Sequence, residues 1–171
     1  ACVYSAAATE ACDQAGWESI TVDYHAAEGR PRMHVQGDVR QVLPRRWWAA
    51  VLGCPSCTNT ARSGADRFEA KRIWHLQWYG ISLYMQIWCA PTNVLILEHS
   101  ISVVHEYVPI ATVQRVHPYM FEGGGAVRKA ADLAIRGAPP VPTLPADLWP
   151  RDTANVTHAA RIADRDAREV F

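Results

Sequence analysis

Four short apolar runs, each closing on a carboxylate or a cysteine, constrain this chain more than any other feature. Residues 19–23 read SITVD and end in Asp23; residues 33–36 read MHVQ and lead through Gly37 to Asp38. Residues 49–53 read AAVLG and meet the turn-forming Cys54-Pro55-Ser56-Cys57; residues 93–97 read NVLIL and meet Glu98. Short β-branched and apolar runs bounded by turn residues predict strands, and an uninterrupted apolar run such as 49–53 predicts a strand covered on both faces. Between them lie helical patterns. Residues 6–15 are alanine-rich and stop at Gly16, a normal residue just past a helix end. Over 65–89, Trp74, Trp78, Ile81, Met85 and Trp88 recur at steps of four and three, the spacing of one helix face. Gly80 within that stretch costs about 1 kcal/mol relative to alanine and marks a weak point.

Alternation of strands and helices predicts an α/β chain with a mainly parallel sheet and helices on both faces. Ligands of such sheets bind outside the carboxyl ends of the strands. Ser5, closing a strand-like piece at 1–5, therefore joins Asp23, Asp38, Cys57 and Glu98 as a candidate site residue. Organisation loosens beyond Glu98: 101–108 is ambiguous, 123–125 is a glycine turn, 130–135 reads as a late strand, 137–150 is a proline-rich loop or arm, and 155–170 is a charged tail or short surface helix.

A length of 171 residues fits one domain. Apolar residues at 49% and charged residues at 20% exclude a disordered chain. Seventeen basic and seventeen acidic side chains cancel, so a polyanion partner would need a local patch. The longest apolar candidate, 81–97, is interrupted by Gln86, Pro91 and Asn93, which predicts no membrane span. No secretory pattern is visible at the N-terminus, so the expected location is the cytoplasm. Five scattered cysteines suit reduced thiols better than a disulfide framework.

Taken in order, ACVYSA (1–6), the run ending in Asp23, HVQGDV (34–39), RWWAAVLGCPSCTNTARSG (46–64), VLILEHS (94–100), VHPYMF (116–121) and RGAPPVPT (136–143) resemble the successive blocks of bacteriophage DNA cytosine methyltransferase-like proteins. The resemblance implies a three-layer Rossmann-like methyltransferase fold over 1–143, with 144–171 as a C-terminal arm or tail. It implies S-adenosylmethionine as cofactor and a cytosine of DNA as substrate. Ser5 and Ala6 would pass the methionine moiety near a helix start, Asp23 would accept from the ribose hydroxyls and Asp38 from the adenine amino group. Cys57 matches the family's nucleophile and Glu98 its acid. The target base would have to be flipped out or already single-stranded. With no room for a target-recognition domain, selectivity falls to loops or a partner, and homo-oligomerisation is left open.

The chain departs from the family where it has Val3 and Ala6 in place of Glu and Gly, Cys54 and Ser56 around Pro55, and His99-Ser100 in place of Asn-Pro. These departures motivate an alternative, a catalytically inactive descendant serving as a binding or assembly module. Cys54 and Cys57 by themselves also fit a thiol-redox pair, which would need a helix start. Zinc would need a second ligand pair, and Cys2, Cys12 and Cys89 lack the spacing. Trp74, Trp78 and Trp88 are expected in the core. The clusters Arg45-Arg46 and Lys71-Arg72 are expected to be solvated faces that could touch phosphate.

Overall fold

The alanine-rich helix forms at Ala7–Gln14 (α1) and ends as its sequence dictates, with Gly16 in the left-handed region at φ 78°. It belongs to a computed structural model that describes residues 7–27, 33–150 and 154–155. The strand-like piece at 1–5 and the tail beyond Asn155 lie outside the described residues.

The first two carboxylate-ending runs become three-residue strands, Thr21–Asp23 (β1) and His34–Gln36 (β2), paired in parallel with Asp23 opposite Gln36. Asp38 then caps a four-residue helix, Val39–Val42 (α2), its Oδ1 accepting from the Arg40 N–H at 2.9 Å. The third and fourth runs become Trp48–Gly53 (β3) and Thr92–Ser100 (β4), parallel neighbours in a register that sets Gly53 beside Leu97. A Cβ at position 53 would lie 2.9 Å from Leu97 Cδ2, so the end of β3 tolerates only glycine without a shift.

Between them run Phe68–Ile73 (α3) and Leu76–Trp88 (α4). The expected long helix is interrupted at His75, which sits at φ 57°, and Gly80 passes through it unbroken. The remaining strands are Val113–Val116 (β5), Val127–Arg128 (β6), Ala131–Arg136 (β7) and Ala154–Asn155 (β8). β3, β4, β7 and β5 form one four-stranded mixed sheet in that order. The Arg136 guanidinium donates to the carbonyls of Trp88, Ala90 and Thr92, and Gly137 packs on Asn93. The end of β7 thus lies at the start of β4, and the two strands run in opposite directions.

This architecture corrects the expected three-layer, mainly parallel Rossmann-like sheet. Among the described residues, β1 and β2 pair only with each other, and β4 is flanked by one parallel and one opposed strand. An apolar run reports burial but not the direction of its neighbour, which is set here by the Arg136 contacts. The apolar run in β3 is likewise not covered on both sides: Val51 and Gly53 are buried while Ala49, Ala50 and Leu52 are exposed. Among the described residues β3 is an edge strand of its sheet.

The core of this part of the chain gathers Val22, Val51, Ile81, Tyr84, Leu95 and Leu97. The chain falls into two compact units, Ala1–Gln114 with Asp132–Pro140, and Arg115–Ala131 with Val141–Phe171. In the second, β6 pairs in parallel with β8, Tyr119 stacks on His117, and Trp149 meets the Tyr119 edge while its Nε1–H donates to the Leu144 carbonyl.

Candidate functional site

The parallel register of β3 and β4 decides where Cys57 goes. Cys57 lies four residues past Gly53, and Ser100 three past Leu97, the partner of Gly53. Their side chains meet, with Sγ and Oγ 3.3 Å apart. The turn after Cys57 is tightened by its own carbonyl, which accepts from the N–H groups of Thr60 and Ala61. The loop therefore returns toward β4 at once.

Along the end of β4, burial alternates: Leu95, Leu97 and His99 are buried, while Ile96, Glu98 and Ser100 are half-buried. Alternating side chains point to opposite faces of a strand. Glu98 and Ser100 thus share a face, and Glu98 stands about 7 Å along the strand from the residue that Cys57 touches. Its carboxylate makes no hydrogen bond or ion pair with the described residues. Of the two predicted catalytic residues, Cys57 touches Ser100, and Glu98 lies two positions earlier on the same strand.

His99, on the opposite face, is 2% exposed. Its Nδ1 lies 2.9 Å from the Ser100 carbonyl and its Nε2 3.2 Å from Thr60 Oγ1. A carbonyl accepts only, so Nδ1 carries a hydrogen, and Nε2 pairs with the threonine hydroxyl. Burial pushes the imidazole below its ordinary range and keeps it neutral. His99 is therefore a clamp that ties the Cys57 loop to β4 rather than a base for the thiol. Tyr84, wholly buried, stands edge-on to His99; burial first, and then the charges of Asp132 and Glu98, push its phenol up.

Asp23 and Asp38 form a second pair at the end of the small sheet. The Gly37 N–H donates to the Asp23 carbonyl at 2.7 Å, and the half-buried Asp23 carboxylate accepts from the His25 N–H at 3.0 Å. Asp38 is gripped by Arg40, whose Nε reaches both carboxylate oxygens at 2.9 and 2.8 Å. That guanidinium beside it holds the Asp38 carboxyl at about 2, and in return Arg40 is raised. The Tyr24 phenol, which accepts from Arg40, is pushed up chiefly by Asp38.

Two consecutive residues of α4 link the pairs. The Arg40 guanidinium lies 5.3 Å from the Tyr79 ring centroid, and a Cβ on Gly80 would be 3.0 Å from Thr60 Cγ2. The acidic pair and the thiol loop accordingly flank the same turn of α4. Ser5 and Ala6 lie outside the described residues. An apolar groove of about 450 Å³ between β1 and β3 is lined by Ala8, Thr9 and Cys12 of α1, by Val22 and by Val51, and by none of Asp23, Asp38, Cys57 or Glu98.

Comparison with protein-family models, curated proteins and solved structures returned no match. The functional reading consequently rests on geometry and on the sequence resemblance.

Sequence reasoning did not single out Thr60, His99, Ser100 or Arg40 as parts of the site. The signal for Arg40 was local, an arginine two positions after a capping aspartate. His99 and Ser100 stood out only as departures from the family pattern. No group of three or more His, Cys, Asp or Glu side chains among the described residues could hold a metal ion, and no helix there is long and apolar enough to cross a membrane.

Proposed function

We propose that this chain is a methyltransferase-like protein whose Cys57 attacks a cytosine of DNA. The observation that carries this reading is the approach of Cys57 to Ser100, on the strand face that also bears Glu98, a carboxylate with no ion-pair or hydrogen-bond partner among the described residues. Cytosine C5 becomes nucleophilic only after a nucleophile has added to the ring. Cys57, as a thiolate, would form the bond to C6, with the Ser100 hydroxyl free to donate to the sulfur beforehand. The displaced ring electrons would be met at the ring nitrogen by a proton from Glu98.

S-adenosylmethionine, when bound, supplies an electrophilic methyl group. Asp23 fits that cofactor, because a carboxylate with one backbone partner keeps lone pairs for a ribose diol. Asp38 does not fit as it stands, since the Arg40 fork and N–H take up its acceptor positions. Arg40 would have to release Asp38 before an adenine amino group could be received.

That closed carboxylate favours a second reading, a non-catalytic binding or assembly module. The thiol-redox reading lacks its structural requirement, because Cys57 leads into a turn and the next helical segment is the 3₁₀ stretch at Arg62–Arg67.

The test is DNA carrying 5-fluorocytosine, incubated with S-adenosylmethionine. The expected result is a covalent adduct that survives denaturation and disappears in Cys57→Ala. Absence of both adduct and methyl transfer overturns the reaction, and a melting temperature unmoved by S-adenosylmethionine favours the binding module.

A further inference from the structure

Of the three tryptophans expected in the core, Trp88 packs partly against it, while Trp74 and Trp78 are on the surface. Trp74 is 74% and Trp78 52% exposed, with Ile73 at 68% beside them. α4 buries Gln77, Tyr84 and Ile87 along with Ile81 of the predicted face, so its buried side is rotated from the tryptophan spacing. Solvating two indoles on one short segment forgoes burial that contributes to folding, so the segment calls for a partner with flat apolar faces.

Its charge indicates which partner. Residues 62–79 carry Arg62, Arg67, Lys71 and Arg72 against Asp66 and Glu69, in a chain whose total charge is zero. Arg62 and Arg67 have acidic partners, Glu106 and Asp66. Arg72 is exposed and makes no ion pair with the described residues. The segment also abuts the thiol loop: Lys71 Nζ donates to the Thr58 carbonyl at 2.6 Å, one residue after Cys57. Trp78 is held edge-on to Tyr107 with ring centroids 5.1 Å apart, a fixed orientation for a stacking surface.

We propose that Trp74 and Trp78, with Lys71 and Arg72, form a docking platform for single-stranded nucleic acid that delivers an unpaired base toward Cys57. Indole faces stack on bases and cations follow the phosphates, a combination that suits single strands because paired bases present no free face. The inference rests on the reading of a nucleobase as substrate, and it adds the strandedness and the surface.

The test titrates the full chain with a twelve-nucleotide oligodeoxycytidylate, followed by fluorescence anisotropy of an end label, in parallel with a duplex of the same length. Single-strand binding should exceed duplex binding at least tenfold. Trp74→Ala and Trp78→Ala should each weaken it roughly 5- to 150-fold, the range of one stacked base. Arg72→Gln should reduce the dependence of log affinity on log salt by about 0.7, one phosphate contact. Both tryptophans are exposed, and an unchanged circular dichroism spectrum verifies folding.

The proposal is overturned if the wild-type chain does not bind the oligonucleotide, if the double tryptophan variant binds as tightly as wild type, or if the duplex competes equally. It is also overturned if sedimentation shows self-association that Trp74→Ala abolishes, since the face then belongs to a second copy. Loss of 5-fluorocytosine trapping with oligonucleotide binding retained would defeat the reaction and leave the platform standing.

Discussion

Cys57 and Ser100, 43 positions apart in sequence, place Sγ and Oγ within 3.3 Å because β3 and β4 run in parallel and end together. The contact gives the thiol a hydroxyl partner, and no basic side chain bonds it among the described residues. His99, the adjacent residue, turns inward and secures the loop through Thr60.

Ser100→Ala is expected to slow alkylation of Cys57 at neutral pH about fivefold, the effect of one hydrogen bond worth about 1 kcal/mol. Iodoacetamide kinetics with peptide mapping measure it, with the exposed Cys54 and Cys89 as internal references. An unchanged rate would mean that the hydroxyl does not act on the sulfur.

The clamp predicts a pH dependence. Burial lowers the folded-state pKa of His99 below its ordinary 6.5, so the unfolded chain takes up the proton first. The corresponding stability is present above about pH 6.5 and is lost as pH falls toward the depressed folded value. Melting temperatures between pH 7.5 and 5 should fall in the wild-type protein and fall less in His99→Gln, which is less stable at pH 7.5 but has no imidazole to protonate.

Gly80 provides a steric test of the link between α4 and the thiol loop. A Cβ there would already be 3.0 Å from Thr60 Cγ2. Gly80→Val should therefore destabilise by about 1–3 kcal/mol, as overpacking does, although a helix interior disfavours glycine. Because Thr60 must move, Cys57 alkylation should also change in rate, whereas stabilisation with an unaltered rate would show the helix and loop to be uncoupled.

Asp38 both caps α2 and holds Arg40. Its carboxyl, held at about 2 against an ordinary 3.8, contributes stability present above pH 3.8 and lost as pH falls through 2. Asp38→Ala should cost about 1 kcal/mol at pH 7, the worth of a cap, and should remove that acid-range loss. Urea titrations at pH 7 and pH 3 make the comparison.

The sequence was most informative where local chemistry decides. α1 ends at the predicted glycine, the four apolar runs all form strands, and Asp38 caps a helix because a carboxylate can satisfy a free N–H group. Cys57 was legible as a residue of the turn after a strand, whereas Glu98 lies inside β4, which runs on to Ser100. Periodicity misplaced the tryptophans because spacing defines a stripe on a helix but not the side on which the sheet lies. The core takes Ile81 and part of Trp88 from the predicted stripe but adds Tyr84 and Ile87 from beside it, which turns Trp78 outward.

The amino-acid order alone determined the elements, their polar ends and the separation of reactive side chains into strand-end positions, since these depend on contacts within a few residues. Only the tertiary structure decided which strands are neighbours and in which direction they run. It also settled that His99 turns inward against Thr60 and that Trp74 and Trp78 remain in solvent. Those outcomes depend on distant groups competing for the same space and the same hydrogen bonds, a competition that no local pattern records.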